Sequence, residues 1–170
     1  MKRIMIDRDL CMGCRNCQLA CMAEHWEGKS VLTLDLENPA NQPLNLVEAG
    51  PGGRPVPLLC RHCSSPDCVK SCISGALSKS PGTGEVLIDR EKCAGCFMCV
   101  MTCTFGMPRP DYHARVSVKC DFCRGSSHPR CVAACPTGAL WLGELGPEGT
   151  VGKITPGETN LCGAPEEGLR

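Results

Sequence analysis

Apolar and polar positions alternate in runs of only a few residues along this chain, so the pattern predicts short elements. Apolar or alternating residues beside turn formers predict strands at Lys2–Ile6, Val86–Ile88, 116–119 and 139–142. One-turn helices are expected at 18–22, 69–72, 100–103 and 132–134, each after the third cysteine of a group of four. The three-residue gap to each last cysteine suits about one helical turn. Residues 38–57 are rich in Pro, Gly and Asn and read as irregular, so 31–57 as a whole reads as a connection. Residues 143–170 carry five glutamates, seven glycines and three prolines and are expected to form a tail that wraps the surface or is partly disordered.

Composition changes the picture. Seventeen of 170 residues are cysteine, and only six are aromatic. Hydrophobic residues make up 42% of the chain, a share that falls to 32% without cysteine. So few large side chains cannot hold a fold by apolar burial alone, and the chain needs a staple. Disulfides require an oxidising compartment, yet the start Met1-Lys2-Arg3-Ile4-Met5-Ile6-Asp7 has no apolar leader core and no twin-arginine pair. The cysteine count is odd and the cysteines are bunched, which favours metal. A cytoplasmic location is the expectation. No apolar run approaches a membrane span; the longest candidate, 93–108, is short and holds four cysteines. The balance of 18 basic and 18 acidic residues argues against nucleic acid as a partner.

Sixteen cysteines form four sets: Cys11, Cys14, Cys17 and Cys21; Cys60, Cys63, Cys68 and Cys72; Cys93, Cys96, Cys99 and Cys103; Cys120, Cys123, Cys131 and Cys135. The sets repeat in pairs. Ile6-Asp7-Arg8 precedes the first and Ile88-Asp89-Arg90 the third, and both then run C-x2-C-x2-C-x3-C. The second contains Pro66, Cys68-Val69, Cys72 and Gly75-Ala76-Leu77. The fourth contains Pro129, Cys131-Val132, Cys135 and Gly138-Ala139-Leu140. Similarity at positions other than cysteine points to duplication of a two-motif unit.

The triplet Cys-x2-Cys-x2-Cys offers three thiolates to one iron–sulfur cubane. The fourth cysteine, one turn later, points elsewhere, and in two-cluster ferredoxins it ligates the other cluster. Zinc is the alternative, since it takes four ligands on two separated hooks; the second and fourth sets admit that reading more easily than the x2-x2 triplets do. Cys135-Pro136 keeps the ending of the bacterial signature, whereas Cys21-Met22, Cys72-Ile73 and Cys103-Thr104 depart from it. With all sixteen positions cysteine, four [4Fe-4S] clusters are expected. Cys162 is then a spare thiol.

His62, inside the second motif, is a candidate donor to a cluster sulfur or a surface histidine. His25, His113 and His128 lack metal-like spacing and are expected to be exposed or packed. Trp26 and Trp141 are expected to pack over cluster faces. Lys119, Arg124 and Arg130 flank the fourth motif as a charge run that either favours a reduced cluster or is simply solvated. There is no Ser/His/Asp set, P-loop or dinucleotide fingerprint, and Gly50-Pro51-Gly52-Gly53 reads as a turn. The expectation is a non-enzymatic electron carrier. A scaffold stapled by clusters and a zinc interaction module are the competing classes.

The pattern resembles the iron–sulfur subunits of the dimethyl sulfoxide reductase family over about residues 1–142. Cys-Arg-Asn-Cys-Gln-Leu-Ala-Cys-Met-Ala-Glu-His at 14–25, Leu-Cys-Arg-His-Cys at 59–63, Cys-Ala-Gly-Cys-Phe-Met-Cys-Val-Met-Thr-Cys at 93–103 and Lys-Cys-Asp-Phe-Cys at 119–123 resemble the branch that serves carbon monoxide dehydrogenase. The resemblance implies an α+β, duplicated bacterial ferredoxin-like fold. It implies one lobe from 1–30 plus 112–142 and another from 58–111. It also implies nested ligation: Cys11, Cys14, Cys17 with Cys135; Cys120, Cys123, Cys131 with Cys21; Cys60, Cys63, Cys68 with Cys103; Cys93, Cys96, Cys99 with Cys72. The implied partners are a carbon monoxide dehydrogenase and a flavin-dependent NAD(P) oxidoreductase or hydrogenase. The alternative is a subunit of a formate dehydrogenase, hydrogenase or molybdopterin oxidoreductase. Each oxidised cubane with its four thiolates carries about −2, so four would turn a formally neutral chain anionic by about −8 and favour a basic or mixed docking surface.

Overall fold

In the computed structural model, residues 1–126, 128–146 and 150–154 are described. Among those residues, nine short strands and four α-helices are joined by loops, and the cysteines lie in the loops and helices. The first strand, β1 (Lys2–Ile6), lies where the apolar pattern puts it. The first helix, α1 (Asn16–His25), is ten residues long, well beyond the expected single turn at 18–22. It buries Cys17 and Cys21, four residues apart and so on one face, together with Met22 and Ala23. The extra length reflects this continued burial after the last cysteine of the motif.

The stretch expected to be irregular contains a hairpin. Strands β2 (Leu46–Ala49) and β3 (Pro55–Leu58) pair antiparallel. Gly50-Pro51-Gly52-Gly53 makes the turn, with Gly52 and Gly53 at φ 72° and 74°. Pro and Gly marked that turn correctly but concealed the strands on either side. Helix α2 (Asp67–Lys70) and strands β4 (Leu77–Lys79) and β5 (Val86–Ile88) follow, then helix α3 (Met98–Thr102). A further hairpin, β6 (Arg109–Asp111) and β7 (Val116–Val118), leads to helix α4 (Arg130–Ala133). Helices α2, α3 and α4 each begin two residues before the expected 69, 100 and 132. Pro66 precedes α2 in extended conformation, Pro129 precedes α4 at φ −59° and ψ 123°, and Phe97 precedes α3 at φ 55°. The third cysteine of each motif therefore sits inside the first turn, not ahead of it.

Strand β8 (Leu140–Leu145) continues past the expected end at 142 and pairs with both β1 and β9 (Val151–Ile154). Residues 143–145 and 151–154 of the expected tail are thus part of a three-stranded sheet in the order β1-β8-β9. The remainder of that tail, Cys162 included, lies outside the described residues.

Two pairings set the geometry of the site. In β1–β8, Ile6 faces Leu140, and the Asp7 amide donates to the Ala139 carbonyl at 2.8 Å. Cys11 follows β1 and Cys135 precedes β8, so this antiparallel pairing delivers both to the same end. In β4–β5, Leu77 faces Ile88, and the Asp89 amide donates to the Ala76 carbonyl at 2.8 Å. Cys72 and Cys93 meet by the same arrangement.

The apolar core is small and partly made of cysteine. One cluster joins Ile4, Cys17, Val47, Leu59, Cys131 and Leu140; a second joins Leu77, Val86 and Cys99. No helix among the described residues is long and apolar enough to cross a membrane.

Candidate metal centres

The cysteine loops are wound by residues in left-handed conformation. Gly13 and Arg15 have φ of 75° and 61° in the first motif, and Gly95 and Phe97 have 63° and 55° at the matching places in the third. This winding turns each C-x2-C-x2-C loop around a common interior. Sixteen cysteines are described and all are free; Cys14 and Cys96 are exposed, whereas Cys17, Cys21, Cys99, Cys123 and Cys131 are buried.

Three hollows lie among the sulfurs. The first, about 320 Å³, is lined by Cys11, Cys14, Cys17 and Cys135 together with Val47 and Leu140. The second, also about 320 Å³, is lined by Cys21, Cys120, Cys123 and Cys131, with Phe122 and His25. The third, about 270 Å³, is lined by Cys72, Cys93, Cys96 and Cys99, with Ser117. Each hollow takes three cysteines from one motif and one from another. Of the remaining cysteines, Cys68 lies in the electrostatic reach of Cys60 and Cys103.

Among the described residues, no three His, Cys, Asp or Glu side chains converge as a single metal ion would require. Sulfurs ringed around a hollow suit a multi-iron group better than a lone tetrahedral zinc ion. Backbone amides also aim at the sulfurs. Leu140 donates to Cys135 Sγ at 3.4 Å, and Leu77 donates to Cys72 Sγ at 3.4 Å. Leu44 donates to Cys21 Sγ at 3.3 Å, Arg130 to Cys123 Sγ at 3.4 Å and Ser117 to Cys93 Sγ at 3.4 Å. Such donors favour thiolate character on the ligand and suit an iron–sulfur group, whose potential responds to hydrogen bonds at sulfur.

Burial acts in the opposite direction on the free thiols. It pushes Cys17 and Cys68 up to about 11 and Cys123 up to about 12, and raises Cys120 and Cys131 as well. At Cys72 burial opposes ionisation too, but hydrogen bonds from Leu77, Ser74 and Ala76 outweigh it and lower that thiol. Most of these sulfurs release a proton when metal binds, so metal binding and folding are coupled.

The residues around the cysteines depart from the sequence reading in several places. His62 is 1% exposed, and its Nδ1 accepts from the Val86 amide at 3.0 Å; no bond to a cysteine sulfur is formed. Burial, then the nearby Lys119 and Arg3 charges, lower its pKa to about 3, so the ring is neutral and its proton sits on Nε2. His25 is neither idle nor merely packed. Its Nδ1 lies 2.7 Å from the Cys21 carbonyl and its Nε2 3.0 Å from Asp121, a pairing that raises it to about 10.

The three cations at the fourth motif separate into different roles. Arg124 is exposed. Arg130 pairs with Glu24 at 2.7 Å. Lys119 is buried, 4% exposed, and does not belong to a solvated charge run. Trp26 lines a separate, larger cavity of about 1110 Å³ with Tyr112 and His113, and Trp141 lies under the Lys153 ammonium at 5.8 Å. Neither indole lines the three cysteine hollows. The roles of Glu24, Asp121 and Ser117 were invisible in sequence, because each is defined by a partner from another motif.

Comparison with known proteins bears on the same residues. The family model for the 4Fe-4S dicluster domain matches residues 54–145. An iron–sulfur protein of Rhodospirillum rubrum is 32% identical over 84% of this chain and 82% of its own length. A sulfite dehydrogenase subunit from Allochromatium vinosum is 33% identical over 84% of this chain and 68% of its own. The electron transport protein HydN of Escherichia coli is 32% identical over 81% of this chain and 85% of its own.

Proposed function

The chain belongs to the 4Fe-4S dicluster domain family, and from that premise we propose that it is an electron-transfer subunit holding four [4Fe-4S] clusters. The ligand sets are Cys11, Cys14, Cys17 and Cys135; Cys21, Cys120, Cys123 and Cys131; Cys60, Cys63, Cys68 and Cys103; and Cys72, Cys93, Cys96 and Cys99. The first two sets form one lobe, 1–30 with 112–142, and the last two form another, 58–111. When bound, such clusters accept and release single electrons. The observation that carries this reading is the make-up of three hollows, each lined by three cysteines of one motif and one of its partner; the set of Cys60, Cys63, Cys68 and Cys103 follows from the repeat of the motifs. The matching bonds Asp7 to Ala139 and Asp89 to Ala76 favour two copies of one unit.

The chain's own part is to hold and insulate. Buried Cys21, Cys123 and Cys131 keep solvent from the set they share with Cys120, whereas exposed Cys14 and Cys96 leave their two sets open towards the surface. Those two positions are where a partner can approach within short range.

In the first reading the donor is a carbon monoxide dehydrogenase and the acceptor a flavin-dependent NAD(P) oxidoreductase or a hydrogenase. Its support is the motif wording at 14–25, 59–63, 93–103 and 119–123. A second reading, service to another oxidoreductase complex, is favoured by similarity to a sulfite dehydrogenase subunit and to HydN. Stopped-flow mixing separates them. Rapid bleaching by carbon monoxide-reduced dehydrogenase supports the first. No bleaching there, with fast transfer from a hydrogenase or formate dehydrogenase, supports the second. Clusters that cannot be reversibly reduced would overturn both.

A further inference from the structure

A chain of buried polar groups runs between the second and fourth cysteine motifs. His62 stands between Cys60-Arg61 and Cys63, and its Nδ1 accepts from the Val86 amide at 3.0 Å. The carbonyl of the same Val86 accepts from Lys119 Nζ. Lys119 Nζ also donates to the Cys120 carbonyl at 2.6 Å. His62, Val86 and Lys119 are 1%, 1% and 4% exposed, so the link crosses the interior.

Lys119 brings a full charge into that interior. Among the described residues it has no carboxylate within 4.0 Å; its Nζ bonds are to two neutral carbonyls. Arg3, 8% exposed, is a second cation nearby, bonded to the Lys2 and Gly84 carbonyls at 2.7 and 3.2 Å. Neutral His62 offers no counter-charge. Glu85 is a more distant acid near Arg3, and Asp121 is engaged by His25. A buried ammonium without an anion is costly. The ionisable groups on both sides are cysteines. Lys119 acts electrostatically on Cys68 of one set and Cys120 of another, and Arg3 acts on Cys60 and Cys63.

We infer that Lys119, with Arg3 beside it, is the shared counter-charge of two clusters, those of Cys60, Cys63, Cys68, Cys103 and of Cys21, Cys120, Cys123, Cys131. The inference rests on the four-cluster reading. Each cluster gains negative charge on reduction, and a fixed cation in low dielectric favours the more negative form. One side chain therefore raises two potentials together, and Lys119 is a positioning residue for charge, not a ligand.

The test is an EPR-monitored redox titration of the full chain. Lys119→Gln removes the charge and keeps two N–H donors on a side chain one methylene shorter. With iron content equal to the native protein, two of the four midpoints should fall. The expected change is about tenfold in each reduction equilibrium, or about 59 mV for one electron. The other two should stay, and Lys119→Arg should return the shifted pair towards native values. Unmoved midpoints in fully loaded Lys119→Gln would overturn the inference, as would a shift of only one cluster. Selective loss of those two clusters leaves the decision to Arg3→Gln, as does loss of all iron: a lower midpoint at the Cys60–Cys63 set supports the inference and an unchanged one overturns it. Native protein lacking four clusters would instead defeat the functional reading itself.

Discussion

Arg130 Nε donates to Glu24 Oε2 at 2.7 Å across 106 residues of sequence. The bond ties α1 of the first motif to α4 of the fourth. Ser126 and Lys29 donate to the other oxygen at 2.9 and 3.3 Å, and the Glu24 side chain is only 7% exposed. Burial opposes ionisation of Glu24, but the bonds from Arg130, Ser126 and Lys29 together outweigh it and lower its pKa. A carboxylate lowered in the folded state adds stability above its unfolded pKa and loses it as pH falls through the folded value. Glu24→Ala should therefore cost about 2 kcal/mol at pH 7. The gap to the native protein should shrink as pH drops below about 4. Thermal unfolding followed by circular dichroism at both pH values checks this.

Gly95 is held at φ +63°, and a Cβ there would lie 2.3 Å from the Arg115 carbonyl oxygen. Gly75 has φ +66° with open space around it. Gly75→Ala should cost about 1 kcal/mol from backbone strain alone, whereas Gly95→Ala must also displace the β6–β7 turn and should cost at least twice that. Iron retention on mild heating should be near native in the first variant and clearly reduced in the second.

Cys99 Sγ and Ser117 Oγ are 3.2 Å apart, both buried. Once Cys99 is a thiolate, the hydroxyl can donate to it. Ser117→Ala should make one cluster harder to reduce by up to about 60 mV, since a hydrogen bond to a charged group contributes about 1.5 kcal/mol. A potentiometric titration reads the shift, and the other midpoints should not move.

Cys21 and Cys135 are the fourth members of hollows built by other motifs. Cys21→Ser should disturb the cluster of Cys120, Cys123 and Cys131, while Cys135→Ser disturbs that of Cys11, Cys14 and Cys17. Mössbauer or EPR spectra of the two variants should therefore differ from native in different components. If Cys21→Ser instead alters the same component as a Cys14→Ser change, ligation follows sequence order.

The cysteine groups that line the hollows were legible because most of their members are spaced locally. Cys11, Cys14 and Cys17 need nothing beyond their loop, and the Ile-Asp-Arg repeat before Cys11 and Cys93 exposed the likeness of the two motifs. Strands β1 and β5 were legible for a similar reason, as short apolar runs between turns. What could not be read was set by long-range contacts. The β2–β3 hairpin hides in Pro- and Gly-rich wording, since Pro55 and Pro57 sit in a strand of a two-stranded ribbon. Helix α1 outran its motif because Met22 and Ala23 are buried beyond its last cysteine. Lys119 looked like a surface charge because nothing local tells that β7 leads into the interior.

The most direct test of the central claim is iron and acid-labile sulfide per chain in anaerobically purified protein, with a reductive titration of the same sample. The account predicts about sixteen of each and reversible bleaching. About eight of each, or a colourless preparation holding zinc, would contradict it.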